Sequence, residues 1–522
     1  MTNARVDVVL ISPSNAKVTY QSLAEDYSAI EPPTWALLLA ESVRSLGWNP
    51  KIIDALAENL SDVQVLERVR EYNPRLICFV VYGQNVNSGT TNMSGATRCS
   101  TLLKQFLPHI QISFLGSYMQ ALPIKVLQEE PSIDFVFTNE GVYALQNILK
   151  LQSFDEHNLK DIRGIAWRNR TSIVINKSEI IVPNERMDKD LPGYAWDLLP
   201  FRESPLDLYR SPLWHAEYDP FKRTPYAAIQ TSLGCNFACD FCMINTINRN
   251  DEAEVGVSGT YSKMRFWSTD FILNQFDLLA SLGVRTIRIV DEMFLLYKKH
   301  YIPLCEKLAE RPYSSELRMW AYSRVDTVTN PEFLSLVRKS GIKWLALGIE
   351  SAERSIRLEV SKGKFQDVDI KEVVNQIHQA DIDVMANYIV GLPGDSIESM
   401  QKTFDLSMNL CTSGWNMYPA MPLPGSQLYK TALERNLMLP ADYSAYSFHS
   451  YETQPFETEH LSGAQILSFR DSAFHRYHES DEFLQHISKR FGAEAAKSVI
   501  EMSKVKLRRR LIEQQTSPDD KK

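Results

Sequence analysis

Cys235, Cys239 and Cys242 stand in the run Gly234-Cys235-Asn236-Phe237-Ala238-Cys239-Asp240-Phe241-Cys242. Thiolates this close in sequence converge on one soft metal centre. A cubane iron–sulfur cluster takes four thiolates. This run supplies three, and no fourth cysteine follows within the next sixty residues. One iron is thereby left without a protein ligand, the kind of open position that separates catalytic from structural metal sites. Zinc would need a fourth ligand, and the nearest histidines, His215 and His300, are at no finger spacing. A disulfide is disfavoured in a chain of 522 residues with 7 cysteines. The spacing therefore predicts a [4Fe-4S] cluster held by Cys235, Cys239 and Cys242. The other four cysteines, Cys78, Cys99, Cys305 and Cys411, share no spacing and read as packing residues.

Such a centre must sit on a scaffold, and the chain is long enough for two or three domains. Hydrophobic residues make up 44% and charged residues 23%, the balance of a globular protein. A formal net charge of −8 argues against a nucleic-acid partner. No apolar run approaches the roughly 20 residues that span a bilayer, so no membrane partner is expected. The N-terminus enters a strand pattern at once, with no signal-peptide pattern, and a cytoplasmic location is expected. Arg508-Arg509-Arg510, near the C-terminus, reads as a solvated helix end.

Residues 1–150 alternate short apolar runs with helical patterns, which predicts a doubly wound parallel α/β sheet. Ligands of such sheets lie beyond the carboxyl ends of the strands. The segments expected there are Ser12-Pro13-Ser14, Tyr82-Gly83-Gln84-Asn85, Gly116-Ser117-Tyr118 and Thr138-Asn139-Glu140-Gly141. No Gly-x-Gly-x-x-Gly follows the first strand, which disfavours a nicotinamide or flavin dinucleotide. Residues 151–220 read as a linker: a hairpin over Ile162–Ile175, then an irregular crossing punctuated by prolines, with Trp214, His215 and Tyr218 in it. Residues 221–430 repeat strand, loop, helix about six times from Tyr226, with the cysteines in the loop after the first strand. Six such units make a partial (β/α)6 barrel, whose chemistry belongs at the carboxyl ends of the strands. Those ends carry Asp291-Glu292-Met293, Arg324, Glu350 and Gly391-Leu392-Pro393. A polar stretch over residues 243–262 follows the cysteines and is expected to act as a lid. Trp267 reads as core. Residues 431–522 form a C-terminal helical region.

The Cys-x3-Cys-x2-Cys run with Phe241 before its last cysteine resembles the signature of the radical S-adenosylmethionine enzymes. Together with Glu31-Pro32-Pro33, Asp54, Gly116-Ser117 and Asn139-Glu140-Gly141 ahead of it, the chain resembles their cobalamin-dependent, methyltransferase-like class. The resemblance implies a Rossmann-like cobalamin-binding domain, a radical SAM barrel and a helical cap. It implies three cofactors: the [4Fe-4S] cluster, S-adenosyl-L-methionine and cobalamin. For S-adenosylmethionine it points to Asp291, Glu292, Met293, Arg324, Glu350, Gly391 and Pro393, with Arg324 open to an alternative ion pair with Asp326. For cobalamin it points to Ser12, Pro13, Tyr82, Gln84, Asn85, Gly116, Ser117, Glu140 and Gly141. The Asp-x-His-x-x-Gly cobalt-ligand motif is absent, and His109 precedes a strand, so no histidine is expected under the cobalt.

The implied reaction moves a methyl group from methylcobalamin to an unactivated carbon, or phosphorus, of a small-molecule biosynthetic intermediate. The implied partners are that substrate and a flavodoxin- or ferredoxin-like electron donor. The alternative is a cobalamin-linked radical cyclase or ring-rearranging enzyme without net methyl transfer. Methylthiolation is disfavoured because a second three-cysteine cluster is missing, and a cobalamin or light sensor would leave the cysteine triad without a role.

Overall fold

The structure is a computed structural model that describes residues 5–83, 86–170, 172–211, 225–247, 264–328, 330–361 and 364–516. Gln84, Asn85, Trp214, His215, Tyr218 and most of the expected lid lie outside the described residues.

Apolar runs in the N-terminal part form strands buried on both faces, as a parallel sheet covered by helices requires. Val8, Val9, Leu10, Ile11, Leu76, Ile77, Cys78 and Phe79 are all at 0% exposure. β1 (Val8–Ser12), β2 (Pro50–Asp54), β3 (Leu76–Val80), β4 (Gln111–Leu115) and β5 (Phe135–Phe137) run parallel. β6 (Ile165–Arg168) and β7 (Ile173–Ile175) follow them antiparallel, and the seven-stranded order is β2-β1-β3-β4-β5-β6-β7. The hairpin expected within a linker therefore extends this sheet, pairing Phe137 with Ile165. The strand order reverses between β1 and β3, which marks the switch-point crevice.

The second sheet begins at β8 (Tyr226–Ile229). A short antiparallel pair, β9 (Ser232–Leu233) with β10 (Arg265–Phe266), brackets the cysteine run. β11 (Thr286–Ile289), β12 (Arg318–Arg324), β13 (Ile342–Glu350), β14 (Asp383–Val390) and β15 (Gly414–Pro419) complete six parallel strands, in the order β15-β14-β13-β12-β11-β8. This is the expected α/β half-barrel. Helices return between the strands with one apolar face each: Ile370–Gln379 buries Ile370, Val373, Val374 and Ile377, and Asp369 caps its N-terminus. Trp267 is core, its indole N–H donating to the Leu191 carbonyl at 2.9 Å.

The C-terminal helices Gly463–His478, Asp481–Phe491, Ala493–Ser503 and Arg510–Thr516 close over the half-barrel. The Trp415 ring on β15 stacks on Tyr477, with centroids 5.1 Å apart. The basic run departs from its reading as a solvated end: Arg509 is 2% exposed and pairs with Asp471 at 2.8 Å. Two buried ion pairs, Glu31 with Arg288 and Glu140 with Arg265, tie the first sheet's loops to the half-barrel. Among the described residues no helix is long and apolar enough to cross a membrane.

Candidate active site

The cysteine run leaves β9 at the mouth of the half-barrel, and Gly234, at φ +93°, turns the chain into it. Asp291, just past β11, braces this loop from behind. Its Oδ1 accepts the Thr231 N–H, and its Oδ2 accepts the Thr231 and Ser232 hydroxyls, each at 2.6 Å. With its only proton given to Asp291, the Thr231 hydroxyl accepts from His300 Nε2 at 2.8 Å. Asp291 is thus occupied with the loop and is not on the cavity wall described next, unlike Glu292 and Met293.

Cys235, Cys239 and Cys242 share one wall of a cavity of about 580 Å³. Burial pushes all three thiols up to about 12, so binding to iron would be what makes them thiolates. Among the described residues no three His, Cys, Asp or Glu side chains converge on a single metal ion. Three thiols lining one cavity, one of them beside the Arg324 guanidinium, are a donor set that fits an anionic iron–sulfur cluster. Arg324 Nη1 stands 3.9 Å from the Cys239 sulfur, and its guanidinium lies 3.8 Å over the Phe237 ring. The rest of that guanidinium is taken by Asp326, at 2.6 and 2.7 Å, and by the Lys364 carbonyl at 2.6 Å. Its first role is therefore the ion pair, with one edge left toward the Cys239 sulfur.

The barrel wall follows from strand alternation. Arg288 and Val290, Trp320, Tyr322 and Arg324, Ala346, Gly348 and Glu350, Met385, Asn387 and Ile389, and Asn416 and Tyr418 face the cavity at every second position. Across the sheet Arg324, Gly348, Asn387 and Asn416 are in register, as are Ile389 and Tyr418. Small Ala346 and Gly348 on central β13 leave the middle open. Glu350 has φ +65°, strained for a residue with a Cβ. A Cβ on Gly348 would meet its carboxylate at 2.5 Å. Burial raises Glu350 to about 7 and Glu292 to about 8, and Glu292 Oε2 is buried with no hydrogen-bond partner.

From the first sheet, Tyr82 and Gly83 beyond β3 reach the same cavity, with Trp35 beside Tyr82 at 5.8 Å between ring centroids. The Tyr82 hydroxyl accepts from Gln120 Nε2 at 2.8 Å. A Cβ on Gly83 would come within 2.1 Å of Ser88 Oγ, so the approach there admits only glycine. No first-domain residue lining the cavity among those described is a histidine.

The remaining expected residues lie off the cavity. The Ser12 carbonyl accepts the Ala55 N–H, and the loop after it is covered where Gly95 packs on the Ser14 carbonyl. Pro13 is buried in that loop. Gly116 and Ser117 pack under the segment after β3, a Cβ on Gly116 meeting the Val81 carbonyl at 2.2 Å. Glu140 is consumed by Arg265, at 2.7 Å, and by the Val182 N–H. Gly141, at φ +80°, starts the helix Val142–Leu149. Gly391 faces Ile466, and Pro393 lies beyond the last lining residue of β14. Sequence reasoning missed Arg288, Trp320, Tyr322 and Asn387, although period-2 alternation in the barrel strands marks them. It also missed His449 and Arg470, which no local pattern marks.

Residues 229–407 match the model of the Radical SAM superfamily. The chain is an enzyme with a radical SAM domain over these residues. Its radical SAM domain implies a [4Fe-4S] cluster and S-adenosylmethionine. The chain is 23% identical over 417 residues to an uncharacterized methyltransferase, PH0819, of Pyrococcus horikoshii, covering 80% of this chain and 82% of that one. It is 23% identical over 455 residues to the anaerobic magnesium-protoporphyrin IX monomethyl ester cyclase of Cereibacter sphaeroides, covering 84% of this chain and 66% of that one. Its fold is similar to the cobalamin-dependent S-adenosylmethionine radical enzyme OxsB, solved with aqua-cobalamin and S-adenosylmethionine bound. The TM-score is 0.65 at 14% identity, covering 95% of this chain and 71% of that one.

Proposed function

We propose that this radical SAM enzyme is a cobalamin-dependent methyltransferase acting on an unactivated carbon, or phosphorus, of a small-molecule intermediate. The observation that carries the reading is the shared cavity. Its walls are the three thiols and alternate barrel residues on one side and the carboxyl edge of the first sheet, at Tyr82 and Gly83, on the other. A substrate there lies between the two cofactors. When bound, the cluster supplies the electron that cleaves S-adenosylmethionine, and cobalamin supplies a carrier for the methyl group.

The chain's own residues bind, orient and exclude water. Cys235, Cys239 and Cys242 hold three irons. Glu292, with one buried and unpartnered oxygen, would accept from the amino group of S-adenosylmethionine, which would offset the upward shift that burial gives its carboxyl. Met293 lines the cavity beside it. The free edge of Arg324 favours the anionic cluster and the nearby carboxylate. Glu350, over Gly348, accepts from ribose hydroxyls. Tyr82 and Gly83, on the cavity lining at the carboxyl edge of the first sheet, would lie against cobalamin. Electrons come from a flavodoxin- or ferredoxin-like protein.

Anaerobic protein with cobalamin, reductant and S-adenosylmethionine should form both S-adenosylhomocysteine and 5′-deoxyadenosine, quantified separately. Deoxyadenosine alone, with cobalt bound, would favour the second reading, a cyclase or ring-rearranging enzyme, which the likeness to the cyclase supports. The chain spans more of the methyltransferase-named relative, 82%, than of the cyclase, 66%.

A further inference from the structure

Away from the cysteines, the cavity ends in a polar cluster that no cofactor role above employs. Asn416 Nδ2 on β15 donates to Asn387 Oδ1 on β14 at 3.0 Å. Arg470, 6% exposed, reaches down from the helix Gly463–His478, and its Nε donates to the Met417 carbonyl at 3.0 Å, between Asn416 and Tyr418. The same guanidinium contacts Asp471 at 3.0 Å through Nη1, leaving Nη2 without a hydrogen bond among the described residues. Asn387, Asn416, Tyr418 and Arg470 all line the cavity. Around them the wall is aromatic: Trp320 and Tyr322 stand 5.2 Å apart, and Tyr418 and Phe448 4.9 Å apart.

The charge balance at this end is unequal. Arg288 is matched by Glu31. Arg470 and Arg509 share the single carboxylate of Asp471, at 3.0 and 2.8 Å. Two cations on one anion leave one net positive charge, and the neighbouring His449 adds none, since burial and these two arginines push its pKa down to about 3. A buried, uncompensated cation calls for an anionic partner. One charge matches a carboxylate rather than a dianionic phosphate.

We propose that the cavity's far end is the substrate subsite, built for a small molecule with an apolar or aromatic body and one carboxylate, which pairs with Arg470 while Asn416 and Tyr418 hold its remaining polar edge. This deepens the proposed function and rests on its placing of the substrate in this cavity, but binding can be read without turnover.

The test measures binding of 2-naphthoate, uncharged 2-naphthamide and dianionic 2-naphthyl phosphate to the full cluster-loaded chain by anaerobic calorimetry. The carboxylate should bind about tenfold or more tighter than the amide, the equivalent of one charge-assisted hydrogen bond. Arg470→Gln should erase that difference, and Arg470→Lys should keep part of it. Because Arg470 also supports Asp471, a variant-free arm is included: added NaCl should weaken naphthoate binding and leave naphthamide unchanged. Equal binding of acid and amide, or tighter binding of the phosphate, would overturn the proposal. Selective naphthoate binding in a chain that forms no S-adenosylhomocysteine would refute methyl transfer and leave the subsite standing.

Discussion

Glu140 and Arg265 join the first sheet to the half-barrel at the point where the cysteine loop is anchored, and their removal gives a quantitative test. Glu140 follows β5 of the first sheet, and Arg265 on β10 pairs with Leu233, two residues before Cys235. Their side chains are 1% and 5% exposed, and Arg265 Nη2 lies 2.7 Å from Glu140 Oε2. Arg265 Nη1 also donates to the Val182 carbonyl at 2.7 Å, whose own N–H reaches Glu140 Oε1 at 2.5 Å. Glu140→Met leaves a guanidinium buried without its counter-ion, which costs about 3–5 kcal/mol. Replacing both, Glu140→Met with Arg265→Met, removes the desolvation penalty along with the attraction and should restore all but about 1–2 kcal/mol. Urea unfolding of the cluster-free chain, followed by tryptophan fluorescence, measures the four corners of this cycle. Iron content after reconstitution should fall in the single variant and recover in the double one. A single variant that loses under about 1 kcal/mol, or a double variant whose loss is the sum of the singles, would refute the ion pair as the link between the domains.

Asp291→Ala leaves the Thr231 N–H and two buried hydroxyls without an acceptor. At about 1–3 kcal/mol for each orphaned group, the loop should loosen and retain less iron, as an iron assay would show. Gly348→Ala pushes the Glu350 carboxylate off its seat and should cut 5′-deoxyadenosine formation about 10²-fold with iron content unchanged. Unchanged formation would remove Glu350 from the site. Asp54 is 1% exposed, held by Tyr209 at 3.0 Å, and raised by burial to about 7. The folded chain then binds more protons than the unfolded one between the ordinary carboxyl value and about 7. Stability should therefore fall as pH rises through that window, by up to about 1.4 kcal/mol per pH unit, and Asp54→Asn should flatten the slope in urea titrations.

Much of this architecture was legible because its signals are local. Strand–helix alternation from Val8 and from Tyr226 marks both sheets, and the cysteine spacing marks three thiols that line one cavity. The hairpin over Ile165–Ile175 was misplaced because an antiparallel edge addition has no signature distinct from an isolated hairpin. Glu140 stands at the carboxyl edge of a sheet, where ligands collect, but its partner is 125 residues later in the chain. Such pairing depends on how two domains dock and leaves no local pattern. Arg509 misled for the same reason: a basic run reads as solvated until the distant Asp471 is seen beneath it. Asp291 was placed at the right strand end, yet which of two adjacent carboxylates faces the cavity is set by the turn after β11, with Glu292 taking that position.

The open iron is tested most directly by electron paramagnetic resonance of the reduced, reconstituted chain before and after adding S-adenosylmethionine. Three thiolates and one unliganded iron require a [4Fe-4S] signal whose g-values shift when S-adenosylmethionine binds, and Cys239→Ala should abolish the signal. A signal that S-adenosylmethionine leaves unchanged would mean a fully ligated cluster and would contradict the site.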